Sequence, residues 1–154
     1  MTVPIKENIA VNIKAAIDAI TTVNGFNQNL TAVRPMRNDF KDVMPADGVV
    51  LIKQLNADKP DAQAYSTVEW VQMYALMAIV LDGDDVETTI DTRLNQVEAD
   101  IQKKIREDPK RGANAIDTIL LPSVEFYDGK GFTGISVNIA VKYRVLEDNP
   151  YTKA

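Results

Sequence analysis

The stretch TVEWVQMYALMAIV, from Thr67 to Val80, reads as one uninterrupted β-strand. Strands usually run for about five or six residues. At roughly 3.3 Å per residue this one would extend on the order of 45 Å, more than a chain of 154 residues needs to cross its own core. Side chains alternate between the faces of a strand, so Val68, Trp70, Tyr74, Leu76, Ala78 and Val80 share one side and Val71, Met73, Ala75, Met77 and Ile79 the other. From Trp70 onward both sides are largely apolar, and each needs a cover.

Two segments offer to supply it. Ile5, Ile9, Ile13, Ala16, Ile17 and Ile20 recur at helical spacing, with Pro4 suited to a first turn and Gly25 placed as an end cap. Ile90, Leu94, Val97, Ile101 and Ile105 mark a second amphipathic helix, and Pro109 closes it. Asp84 followed by Glu87 has the form of a capping box, so both are expected to cap that helix. Early acids (Glu87, Asp91) and late bases (Lys103, Lys104, Arg106) complement its dipole. Two helices rarely cover both faces of a sheet. The expectation is that both pack on the side of Trp70, Tyr74, Leu76 and Val80, leaving Val71, Met73, Ala75 and Met77 as candidate contacts to a neighbouring subunit.

The remaining strands frame the long one. A weak pattern from Phe26 to Val33 predicts an edge strand, and Gly48 to Leu55 a stronger one, separated by the charged, proline-containing segment Arg34 to Asp47. Asn56 to Ala64 is a polar connection into the long strand. Asp117 to Tyr127 predicts a strand broken at Pro122, and the turn Asp128-Gly129-Lys130-Gly131 leads to a last strand ending at Val145. There Ile135, Val137, Ile139, Val141, Tyr143 and Val145 form one apolar face opposite Ser136, Asn138, Lys142 and Arg144. The fold class is therefore α/β in the α+β sense: a mostly antiparallel mixed sheet of about five strands with two helices on one face. Residues 1–154 form a single domain, with a loose tail expected from about residue 147.

Composition narrows the chemistry. The absence of cysteine and histidine removes disulfides, thiolate and imidazole catalysis, and the common zinc sites. The longest apolar run, Tyr74 to Leu81, is far short of the ~20 residues that span a bilayer, and Glu7, Asn8, Asn12 and Asp18 interrupt any signal-peptide core, so a soluble chain is expected. A net charge of −5 repels phosphate backbones and argues against a dedicated nucleic-acid binder.

Asp82, Asp84, Asp85 and Glu87 could in principle ligate calcium or magnesium, or act as paired carboxylates in a small metal-dependent hydrolase. They lack the EF-hand loop and an opposing wall of polar groups, and acids at a helix start have a plain electrostatic role. Lys103, Lys104, Arg106, Lys110 and Arg111 form a basic cluster without interleaved aromatics, which reads as a solvated helix end. Gly129 and Gly131 are turn residues with no nucleotide-binding fingerprint around them. No enzymatic activity, cofactor or metal is expected.

Four places carry a resemblance: the helix end before a short strand (Ala16 to Phe26), Val68-Glu69-Trp70-Val71, Asp108-Pro109-Lys110-Arg111-Gly112-Ala113, and Val141-Lys142-Tyr143-Arg144. Together with the order helix, two strands, long strand, acidic turn, charged helix and terminal hairpin, they resemble the tail terminator proteins of long-tailed bacteriophages, also called tail completion or head-tail joining proteins. The resemblance implies a ring of six copies that caps the tail tube and joins it to the head or neck. It implies as partners the chain itself, the tail tube protein and head-completion or neck proteins. DNA would pass through the channel without specific binding, no membrane would be involved, and the protein would reside in the virion after assembly in the host cytoplasm. An acidic subunit suits such a channel, and rings form through head-to-tail contacts between unlike patches. The alternatives are another neck, tail or baseplate component, the hydrolase using Asp82 to Glu87, and a bacterial adaptor domain unrelated to phages.

Overall fold

A computed structural model of the chain describes residues 2–35, 46–59, 66–81, 89–127 and 132–154. Its spine is a pair of fifteen-residue strands, β3 (Thr67–Leu81) and β6 (Phe132–Leu146). They pair antiparallel over their whole length, from Thr67 opposite Leu146 to Leu81 opposite Phe132. On the other edge of β3 lies β2 (Val49–Asp58), antiparallel, and beyond it the parallel edge strand β1 (Thr31–Val33). Three short strands follow one another along the other edge of β6: β5 (Val124–Tyr127), β4 (Asp117–Leu120) and β7 (Asn149–Lys153). The fold is thus, as expected, a mixed α+β domain with a mostly antiparallel sheet five strands across, β1-β2-β3-β6-β4, and β5 and β7 add two short strands on β6, seven among the described residues.

The two additional strands have separate causes. Pro122 lacks a ladder N–H and splits the expected Asp117–Tyr127 strand into β4 and β5. The break is stitched to β6, where Leu121 N donates to Asn138 O at 2.9 Å and Asn138 Nδ2 donates to Pro122 O at 3.0 Å. The tail expected to be loose from about residue 147 instead turns back as β7, and Ala154 N donates to Arg144 O at 3.2 Å. Every β7 residue is exposed, so backbone pairing holds it without a buried face.

Helix α1 (Ile5–Asp18) buries Ile5, Ile9, Ala10, Ile13 and Ile17. It stops earlier than the isoleucine spacing predicts: Ile20 is still buried, but Gly25, at φ +86°, ends a short 3₁₀ turn at Thr22–Asn24 instead of the helix. Helix α2 (Ile90–Glu107) buries Leu94, Val97, Asp100, Ile101 and Ile105. Both helices share one core with the sheet side carrying Val50, Ile52, Tyr74, Leu76, Ile139 and Val141, as expected.

The start of α2 corrects the expected cap. Thr89, rather than Asp84, is its N-cap, and Thr89 Oγ1 accepts the Thr92 N–H at 3.2 Å. Asp84 and Glu87 lie outside the described residues, as do the rest of the acidic turn and the Asp128–Gly131 turn. Removing a cap oxygen leaves a helix-end N–H to water, so Thr89→Ala should cost about 1 kcal/mol while Thr89→Ser costs little. Urea unfolding of the two variants checks this.

At the end of α2, Lys103, Arg106 and Lys110 are exposed, as the reading of a solvated basic patch expects, but Arg111 departs from it. Arg111 is buried, and its guanidinium folds back to donate to the carbonyls of Ile105 and Asp108, closing the helix C-terminus. Asp108 Oδ2 accepts Gly112 N at 2.6 Å, and Arg111, Gly112 and Ala113 all take positive φ. Burial pushes the Arg111 pKa below its ordinary value. Arg106 reaches Thr118 O at 2.7 Å, and Lys103 lies over the Phe26 ring. Arg106, Arg111 and Lys103 therefore tie the helix end to its surroundings, while Lys110 stays in solvent.

Candidate functional site

Strand alternation decides the geometry of the opposite sheet face. The residues of β3 that turn away from the helices are Val71, Met73, Ala75, Met77 and Ile79, so the four interface candidates stand together on one side. Across the ladder to β6 they meet Lys142, Ala140, Asn138, Ser136 and Gly134 in turn. On the β2 side Leu51 opposes Met77 and Lys53 opposes Ala75. Ile119 of β4 lies opposite Ala140, and Val124 of β5 opposite Ser136, which extends this surface to the far side of β6.

None of these side chains belongs to the core that the helices share. Leu51, Ala75, Ile79 and Ala140 are buried, Val71, Met73 and Met77 are half-buried, and Ile119 and Val124 are exposed. Gly134 permits close packing here: a Cβ added to it would stand 2.3 Å from the Phe126 ring and 2.3 Å from Ala78 O. The face is thus apolar along β3 and at Leu51, while β6 crosses it with Lys142, Asn138 and Ser136 beside Ala140 and Gly134.

Its rim toward the start of β3 is charged. Glu69 accepts from Arg144 Nη2 at 2.8 Å and lies 3.8 Å from Lys142 Nζ. On β6, Ser136 Oγ donates to Asn138 Oδ1 at 2.9 Å. Apolar side chains left uncovered beside a charged end are a combination that protein–protein contacts use.

No family model matches this chain, and no curated protein matches it.

Other polar features serve the fold. Gln72 shares the helix-facing side of β3 yet is fully buried, and its Nε2 donates to Leu55 O at 2.6 Å and Met73 O at 2.9 Å. It plugs the irregularity where the β2 register shifts between Gln54 and Ala57. The Tyr74 hydroxyl is buried without a hydrogen-bond partner among the described residues, and burial raises its pKa well above the ordinary tyrosine value. Because an unpaired buried hydroxyl contributes a desolvation cost and no bond, Tyr74→Phe should leave stability unchanged or raise it by up to about 1 kcal/mol. Thermal melting of the variant checks this.

Two clefts lie among the described residues. One of about 260 Å³, lined by Pro4, Lys6, Trp70, Tyr143, Val145 and Pro150, is mostly apolar, with Lys6 its one charged side chain among the described residues. The other, about 380 Å³, lies between the helices beside Asn12, Lys104, Glu107 and Arg111. Its charges are engaged, Lys104 with Glu107 at 2.8 Å and Arg111 with the helix end. Among the described residues no group of three or more acidic side chains could hold a metal ion.

The candidates that sequence alone did not supply are Leu51, Ile119 and Val124. Each is a single apolar residue in a different strand, and only the register brings it beside Met73 and Met77. The charged rim was present in the sequence as Glu69 and Arg144, seventy-five positions apart.

Proposed function

We propose that this chain is a structural subunit of a bacteriophage tail, a tail terminator that closes into a ring, six-membered by the resemblance, on the tail tube and joins it to the head or neck. The observation that carries the assembly reading is the apolar sheet face around Val71, Met73, Ala75 and Met77, which neither helix covers. What the face still exposes, at Val71, Met73, Met77, Ile119 and Val124, contributes roughly 25 cal/mol per Å² when a neighbour covers it, and the charged rim would set the register. The station on the tail rests on the element order and the four sequence stretches that resemble that family. The chain acts by assembly and without catalysis, with the tube protein and neck proteins as partners. Its net charge of −5 suits a channel through which DNA must slide without being held.

Negative-stain electron microscopy of the purified chain at rising concentration, alone and with tail tubes, tests the reading. The expected images are closed rings with an axial hole, seated at one end of the tube. Particles that remain single subunits under both conditions, or bind the side of the tube as isolated copies, overturn it.

A further inference from the structure

The exposed apolar side chains are not scattered evenly. Ile116, Ile119, Val124 and Tyr127 all lie on the margin formed by β4 and β5, with Val124 58% and Tyr127 72% exposed. Neither strand pairs with any described strand but β6. An edge strand presents a row of backbone donors and acceptors, and proteins usually guard it with charge, proline or a bulge. Pro122 guards the break between β4 and β5, but within β5 the only charge is Glu125, which is exposed and in no ion pair among the described residues.

The opposite margin has a complementary character. β1 covers β2 only at residues 49–51, and its own Ala32 N–H is closed by Asp18 Oδ1 at 2.7 Å. Beyond that, no described strand lies on the outer side of β2 at residues 52–58. This stretch exposes Leu55, at 41%, and it carries Lys53, with Lys59 just beyond, against Asp58. None of these three is ion-paired among the described residues, which leaves an excess of positive charge there.

Resting on the assembly reading above, we infer that β5, with Ile119 beside it, is one half of a head-to-tail contact whose other half is the outer edge of β2 on a second copy. Strand addition joins the two backbones: on the face away from the helices Val124 packs near Leu55, and on the other face, which Tyr127 shares, Glu125 is set toward Lys59. Ile119 and Val124 also belong to the apolar sheet face, so the contact is continuous with it. Because the two margins lie on opposite sides of one sheet, every copy offers both halves. Such a heterologous contact repeats, and it closes into a ring when the rotation permits.

The chain has no cysteine, so introduced thiols report cleanly. Val124→Cys and Leu55→Cys, both at exposed positions, are purified separately, checked for native melting, mixed at high concentration and treated with a short bis-maleimide. The expected product is a cross-linked dimer that forms from the mixture and from neither variant alone, and a ladder of oligomers from the double variant. Val23→Cys, on the 3₁₀ turn and 92% exposed, replaces Val124→Cys in the control and should give no such band. Glu125→Lys should lower the yield about two- to fivefold, the effect of losing one rim ion pair, and Lys59→Glu in the other partner should restore it. A dimer from Val124→Cys alone shows a symmetric contact and overturns the inference. Absence of the mixed product from a chain that still forms rings also overturns it, while leaving the assembly reading standing. A chain that forms neither rings nor cross-links overturns both.

Discussion

Leu76→Glu should prevent folding, whereas Met73→Glu should leave a soluble, cooperatively melting subunit that no longer associates. Leu76 is completely buried in the core shared with the helices, opposite Ile52 on β2 and Val137 on β6. A carboxylate there loses its hydration and finds no partner, at a cost of several kcal/mol beyond the lost apolar burial. That approaches the whole ~5–15 kcal/mol that holds a domain together. Met73 is half-buried on the opposite face, opposite Ala140. Its diagonal neighbours include Lys142, which opposes Val71, and Lys53, which opposes Ala75. Diagonal pairs are roughly 7–8 Å apart, within reach of long side chains. A glutamate at 73 can therefore pair with a lysine in the free subunit, while in an assembly it places a charge in an apolar contact. Circular dichroism melting read beside sedimentation velocity separates the two effects. If Met73→Glu unfolds the isolated subunit as severely as Leu76→Glu, the face is internal and the subunit contact lies elsewhere.

The second large effect belongs to Asp100, a buried acid in the middle of α2. Its Oδ2 accepts the backbone N–H groups of Asn27 and Gln28, both at 2.9 Å, and its Oδ1 accepts Asn27 Nδ2 at 3.1 Å. One carboxylate thus fixes the turn that carries the chain from α1 into the sheet. Asp100→Ala strands three donors in a partly buried place and should cost about 2–5 kcal/mol, since hydrogen bonds to charged groups contribute roughly 1.5–3 kcal/mol each and deletions in one network are not additive. Asp100→Asn, which keeps one acceptor oxygen, should lose about half as much. Urea unfolding measures both; an alanine variant within ~0.5 kcal/mol of the parent, the range of ordinary surface substitutions, would show that the turn holds without Asp100.

The parts of the fold legible in the sequence are those whose side chains announce burial. The long strand was bounded to within one residue, Thr67 to Val80 against Thr67–Leu81, because its apolar run is unbroken. The five apolar positions of α2 fell on its inner face for the same reason: Leu94, Val97, Ile101 and Ile105 are buried, and Ile90 packs against the core. Its start is not legible, because acids at 84 and 87 have the spacing of a capping box while Thr89 caps through a hydroxyl that carries no comparable pattern. β7 leaves no sign in the sequence, because pairing without burial gives no periodicity. Arg111 looked solvated because charge type alone does not show that a side chain folds back onto its own helix end. The site was half legible: alternation along β3 gave Val71, Met73, Ala75 and Met77, but Leu51, Ile119 and Val124 join them only through the pairing of distant strands.

The methionines of that face offer a direct measurement of its role. Hydrogen peroxide converts accessible methionine to the sulfoxide, so the oxidation rates of Met73 and Met77, followed by peptide mass spectrometry, report whether the face is open. In dilute solution both should oxidise at the rate of half-buried side chains, and at concentrations where rings form both should slow together. Rates that are the same in the dilute and the assembled protein would contradict burial of this face between subunits.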